Sequence, residues 1–66
     1  MSVAKNIEIT STSALGFEDA VKQGIKKASE TVKGIRGAWV KEQKVTVTDG
    51  NVSSYTVMMI ITFVLD

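Results

Sequence analysis

Cysteine, histidine and proline are all absent from this 66-residue chain. Without cysteine no disulfide can staple the fold, and without thiolate or imidazole a tetrahedral zinc site lacks its preferred ligands. The missing histidine also removes the side chain that most often serves as an acid or base at neutral pH. An excess of one charge is missing too: eight basic and seven acidic residues leave a net charge of +1. Because the two signs are interspersed, no basic stripe exists to neutralise a run of phosphates, and nucleic acid is not an expected partner. The longest apolar run, Val57 to Ile61, falls far short of the roughly 20 residues a bilayer span needs. No charged-then-apolar leader opens the chain, so it reads as soluble and cytoplasmic, with no membrane partner. The lack of cysteine fits that compartment.

A chain of this length makes one domain, residues 1–66, and buries only about 60% of the surface it exposes when unfolded. Small folds offset that shortfall with disulfides, a metal or subunit contacts. Composition removes the first and disfavours the second, so a homo-oligomer is expected.

Val3, Lys5, Ile7 and Ile9 alternate with Ala4, Asn6, Glu8 and Thr10, the period-two pattern of a strand with one buried face. Ser11, Thr12 and Ser13 suit a turn, and Ser13 suits a helix N-cap, so a helix is expected from Ala14. Phe17, Ala20, Val21, Gly24, Ile25, Ala28 and Val32 recur at intervals of three and four and form its apolar stripe. Glu18 and Asp19 near its start and Lys33 near its end complement the helix dipole, and Gly34 is expected to close it with positive φ. Gly24 breaks the pattern, since glycine inside a helix costs about 1 kcal/mol relative to alanine; close packing of that turn on a neighbouring element is the expected reason.

A second strand is expected from Ile35 to Thr48. Ala38 and Val40 share one parity while Val45 and Val47 take the other, which predicts a bulge or strong twist between Lys41 and Lys44. Asp49-Gly50 is a hairpin turn signal. In the third strand, Val52 to Leu65, one parity carries Tyr55, Val57, Met59, Ile61, Phe63 and Leu65 and should face the helix. The other carries Val52, Thr56, Met58, Ile60, Thr62 and Val64. Both faces are apolar although one helix covers only one, so Met58, Ile60 and Val64 are expected at an oligomer interface. A right-handed crossover sets the first two strands parallel, and inserting the third between them makes every pair antiparallel. The expected fold is therefore an α+β β-α-β-β subunit, its three-stranded antiparallel sheet in the order 1-3-2 around one helix.

Chemistry is sparse. Glu8, Glu18, Asp19, Glu30, Glu42, Asp49 and Asp66 are scattered without a recognisable pair, and no Gly-x-Ser-x-Gly elbow or phosphate-binding glycine loop occurs. The serines read as turn and cap residues. No catalytic residue is assigned and an enzyme is not expected. Trp39, the one tryptophan, suits either core and interface packing or the stacking of a flat ligand.

Thr12-Ser13 ahead of an amphipathic helix, Glu30-Thr31-Val32 near its end and a terminal strand from Val57 to Leu65 make the chain resemble the dodecin family over nearly its whole length. The resemblance implies a β-α-β-β subunit, twelve of which form a hollow dodecameric shell with 23 symmetry. It also implies a flavin-binding storage protein, in which flavin rings stack on a tryptophan early in the second strand and bond to a glutamine just after the aromatic residue of the third. Registered on Thr31-Val32 and Tyr55, those positions hold Gly37 and Thr56 here, so both flavin-defining residues are replaced. The acidic position five residues beyond the first is kept as Glu42, and Met58 and Ile60 make the site more apolar. The ligand-binding positions implied are Gly37, Trp39, Glu42, Thr56 and Met58, with riboflavin or FMN as the cofactor. The alternative is a shell that binds no flavin and either takes a divalent cation such as calcium, with Glu42 and Asp49 as candidate metal ligands, or serves as an assembly alone.

Overall fold

The computed structural model describes residues 2–65, in the order β1 (Val3–Ser13), α1 (Phe17–Ala28), β2 (Ile35–Thr48) and β3 (Asn51–Leu65). The sheet order is β1-β3-β2 and both pairings are antiparallel, as the insertion argument requires. β3 carries the most apolar sequence and takes the one position with a neighbour on each side. Its helix-facing row supplies the core: Val57, Met59 and Ile61 are fully buried, as is Ala20 from the helix. Ile9, Phe17, Val21 and Ile25 pack around them, and Phe17 meets Tyr55 edge to face at 5.2 Å.

The hairpin between β2 and β3 turns on two residues, Asp49 (φ 52°) and Gly50 (φ 79°), flanked by the pair Thr48 and Asn51. Positive φ at both central positions is the primed turn whose twist matches the strands. The bulge expected between Lys41 and Lys44 sits at Lys41: Val40 pairs with Met59 and Glu42 with Met58, leaving Lys41 unmatched. Two further register shifts lie between Ile35 and Gly37 and between Thr46 and Val47.

The helix ends differ from the expectation. β1 continues to Ser13, which pairs with Tyr55, so the ladder claims the residues assigned to a turn and cap. The helix starts at Phe17, three residues late, with Gly16 at its N-cap and no side-chain cap. Ser13 is nevertheless engaged, accepting the Leu15 N–H at 2.9 Å and donating to Asp19 Oδ2 at 2.6 Å, which ties the strand end to the first helical turn. The helix stops at Ala28 rather than near Val32, and Lys26 and Lys27, not Lys33, occupy its last turn. Gly34 does have positive φ, 76°, but it turns the chain into β2 rather than capping the helix. Its carbonyl accepts the Val64 N–H at 3.0 Å, and a Cβ there would press on the Val64 carbonyl.

Gly24 is buried where the helix lies closest to the sheet. A Cβ at that position would stand 2.7 Å from Met59 Cε and 3.0 Å from Ser11 Cβ. Ser11 in turn donates its hydroxyl to the Ala20 carbonyl at 2.7 Å. The mid-helix glycine is thus a packing requirement.

The helix packs on β1 and β3. Among the described residues, no element lies over the opposite side of the sheet, here the outer face.

Candidate functional site

Cross-strand partners share a face, so the register fixes which side chains meet on the outer face. Four rows cross it from β1 through β3 to β2: Asn6, Thr62 and Gly37; Glu8, Ile60 and Trp39; Thr10, Met58 and Glu42; Thr12, Thr56 and Lys44. All five residues expected from the sequence to bind a ligand, Gly37, Trp39, Glu42, Thr56 and Met58, therefore lie on one surface. No register shift falls between Gly37 and Trp39, so the two keep the same face about 7 Å apart along the strand. Gly37 leaves its place open: among the described residues, none beyond its two chain neighbours comes within 4 Å of where a Cβ would stand. Trp39 is 53% exposed, beside half-buried Ile60 and Met58.

The bulge at Lys41 shapes this surface. One extra residue in β2 restores Glu42 and Lys44 to the outer parity behind Trp39. A shallow concavity of about 80 Å³ opens there, lined by Glu42, Gln43, Lys44, Thr56 and Met58. Lys41 itself reaches across β3 to Glu8 at 3.2 Å, an ionic strap over the middle of the face; being half exposed, such a pair contributes at most about 1 kcal/mol. The Thr12 and Thr56 hydroxyls share a hydrogen bond of 2.9 Å, and Thr62 donates to Asn6 Oδ1 at 2.7 Å. The face is thus an apolar centre of Trp39, Met58 and Ile60 framed by opposite charges and hydroxyls. The strap and the part played by Gln43 and Lys44 were not among the expected features; the phase switch in β2 was their only trace in the sequence.

The interface candidates Met58, Ile60 and Val64 are all half-buried along β3 on the outer side, Val64 opposite Ala4. The two candidate metal ligands are not brought together: Glu42 stands opposite Met58 and Asp49 sits at the hairpin tip. Among the described residues no group of three or more acidic side chains is placed to hold a metal ion. Asp66 lies outside the described residues. Among those described, no helix is long and apolar enough to cross a membrane.

Comparison with known proteins follows the fold closely. The family model for dodecin matches residues 3–66. A dodecin from Streptomyces davaonensis superposes with a TM-score of 0.93 at 29% identity, with 98% of this chain and 96% of that one covered. A single-site variant of the Thermus thermophilus dodecin gives 0.94 at 29% identity, covering 100% and 98%. A calcium dodecin from Mycobacterium tuberculosis, described as having a novel calcium-binding site, gives 0.83 at 32% identity, covering 98% and 93%. The search of curated proteins finds no match.

Proposed function

The chain belongs to the dodecin family, and from that premise we propose that it is a non-catalytic subunit of a dodecameric shell that binds a flat small molecule on its outer sheet face. The observation that carries this reading is the exposed Trp39 beside Met58 and Ile60, next to a concavity lined by Glu42, Lys44 and Thr56. An aromatic platform with polar groups at its margin suits a ring system with a polar tail. The concavity on one chain is far smaller than the roughly 300 to 1,000 Å³ of a small-molecule site. The face is therefore half a site, completed when two copies bring their outer faces together over the ligand. Oligomerisation and binding then use the same surface, with Met58, Ile60 and Val64 at the contact.

By family resemblance the ligand class is a flavin, riboflavin or FMN. Gly37 and Thr56 in place of the stacking and hydrogen-bonding residues mean weak flavin affinity, and Trp39 stacks the ring from a position shifted along β2. A second reading draws on the calcium dodecin at 32% identity: a divalent cation held by acidic groups from several copies. Calcium takes six to eight oxygen ligands, and Glu42 and Asp49 stand too far apart on one chain to supply them. Cation binding here is accordingly a property of the assembled shell only.

The absorption spectrum of the purified protein, with flavin and calcium titrations followed by calorimetry, separates the two readings. A flavin band, or saturable flavin binding at one site per chain or per pair of chains, supports the first. Calcium binding without flavin binding supports the second. Failure to bind either would leave assembly as the role of the fold.

A further inference from the structure

Glycine inside a strand weakens it, and where it stands a bulge, a ligand or another backbone comes close. Gly37 is such a glycine. Its backbone lies outside the left-handed region that Gly34 and Gly50 occupy, so the adjoining register shift at Arg36 does not call for glycine. Packing within the chain does not call for it either, since no described residue beyond its two chain neighbours comes within 4 Å of where a Cβ would stand. What remains is close approach from outside the chain.

The row that Gly37 leaves uncovered carries a polar pair whose orientation is fixed. Asn6 and Thr62 stand beside it on the outer face, and the Thr62 hydroxyl donates to Asn6 Oδ1 at 2.7 Å. With its oxygen engaged, the Asn6 amide presents two N–H donors through Nδ2, while Thr62 Oγ1, having given its proton, keeps its lone pairs. A donor and an acceptor therefore lie side by side next to open floor. Lys41 draws the Glu8 carboxylate across toward β2 at 3.2 Å, away from the Asn6 donors. The Trp39 and Ile60 row begins about 7 Å further along the strands.

We infer that the Asn6–Thr62 pair reads the lactam edge of a flavin, the adjoining C=O and N–H of its pyrimidine ring, while the rest of the ring system lies over Trp39 and Ile60. The inference rests on flavin binding at the outer face and names the part of the ligand that this face selects. Asn6 Nδ2 donates to the lactam carbonyl, and the lactam N–H donates to Thr62 Oγ1. Together with the Thr62–Asn6 bond these close a ring of hydrogen bonds in which each group finds its complement. A ring edge without the N–H leaves the Thr62 oxygen unpaired, and a site built to bond such a group discriminates against the analogue that lacks it.

The hydroxyl pair at the other end of the face is not equivalent. Thr12 and Thr56 bond to each other at 2.9 Å, but their row ends in Lys44 rather than in an open place. It also lies about 14 Å from the Trp39 row, too far for an edge of a ring system seated there.

The test compares lumiflavin, which has the lactam edge and no polar tail, with 3-methyllumiflavin, in which a methyl group replaces the lactam proton. Quenching of flavin fluorescence on titration gives both affinities. The natural chain is expected to bind lumiflavin roughly tenfold more tightly, as the loss of one hydrogen bond implies. Thr62→Val keeps the size of the side chain and the preference for a strand but removes the hydroxyl, and it should bring the ratio close to one; Thr62→Ser should restore it. Asn6→Asp, which exchanges the donors for acceptors, should weaken lumiflavin binding. Equal affinity of the natural chain for the two flavins overturns the inference. So does a ratio that survives Thr62→Val, or one that is lost in Thr56→Val instead, and in each of these cases flavin binding at the face stands. A natural chain that binds neither compound overturns the inference together with the flavin reading beneath it.

Discussion

Replacing Gly24 by alanine sets two effects of opposite sign against each other. An alanine inside a helix gains about 1 kcal/mol over glycine from backbone entropy. Against this, the new Cβ would stand 2.7 Å from Met59 Cε and 3.0 Å from Ser11 Cβ. The methionine end can bend, but Met59 is fully buried and must displace a core neighbour to do so. Ser11 has less freedom, because its hydroxyl is bonded to the Ala20 carbonyl one turn before Gly24. Overpacking of this kind costs about 1 to 3 kcal/mol, and loss of the Ser11 bond about 1 more. The balance is a net destabilisation of about 1 to 3 kcal/mol. For a domain of this size each kcal/mol lowers the melting temperature by about 4 to 8 °C. The assay is thermal unfolding followed by circular dichroism at one fixed protomer concentration, since an oligomer's melting point depends on concentration. Adding Met59→Leu removes the Cε atom and should recover part of the loss, a coupling of at least about 0.5 kcal/mol between contacting sites. A Gly24→Ala variant that melts higher than the natural protein would refute the close-packing account.

Three other outcomes are expected. Ile60→Lys puts a charge into the centre of the outer face at a cost of several kcal/mol unless it finds a partner, and light scattering should show a smaller species with the helix retained; an unchanged mass would mean that this face is not a contact. The double change Gly37→Trp, Thr56→Gln should tighten flavin binding by about tenfold to a hundredfold, from about 0.5 to 1.5 kcal/mol of stacking and about 1 of hydrogen bonding, less any cost of breaking the Thr12–Thr56 bond; quenching of flavin fluorescence measures it, and nanomolar binding by the natural chain would contradict the assignment of these positions. Ser13→Ala strands the Leu15 N–H and frees the Asp19 carboxylate, so urea unfolding should report a loss of about 1 to 2 kcal/mol, with Ser13→Thr recovering much of it.

The sheet was legible in the sequence because its information is local. Parity along β3 separates Val57, Met59 and Ile61 from Met58 and Ile60, Asp49-Gly50 sets the hairpin, and the change of parity in β2 marks the bulge. Inserting β3 between the other two strands followed from its apolar excess. The helix ends were not legible, because Ser13 carries a cap signature in its own neighbourhood while its pairing with Tyr55 lies 42 positions away, and the ladder wins. The candidate site was legible as a face but not as a shape. That Gly37, Trp39 and Glu42 share a surface follows from counting residues. The strap from Lys41 to Glu8 spans a third strand, and no spacing rule connects side chains on two strands that never touch.

That topology also orders the steps of folding. β1 and β2 flank β3 without pairing with each other, so neither has a sheet partner until the third strand exists. The β2–β3 hairpin closes over a two-residue turn and can form on a timescale of about 1 to 10 μs. Docking of β1 joins positions as distant as Val3 and Leu65 and carries the loop-closure entropy of almost the whole chain, which makes it the slow step. During synthesis β1 and the helix emerge with their apolar rows uncovered and stay so until the last strand of the sheet is made. The charge of Lys5 and the polar alternates Asn6, Glu8 and Thr10 along β1 then keep a waiting strand from pairing with its counterpart on a neighbouring nascent chain.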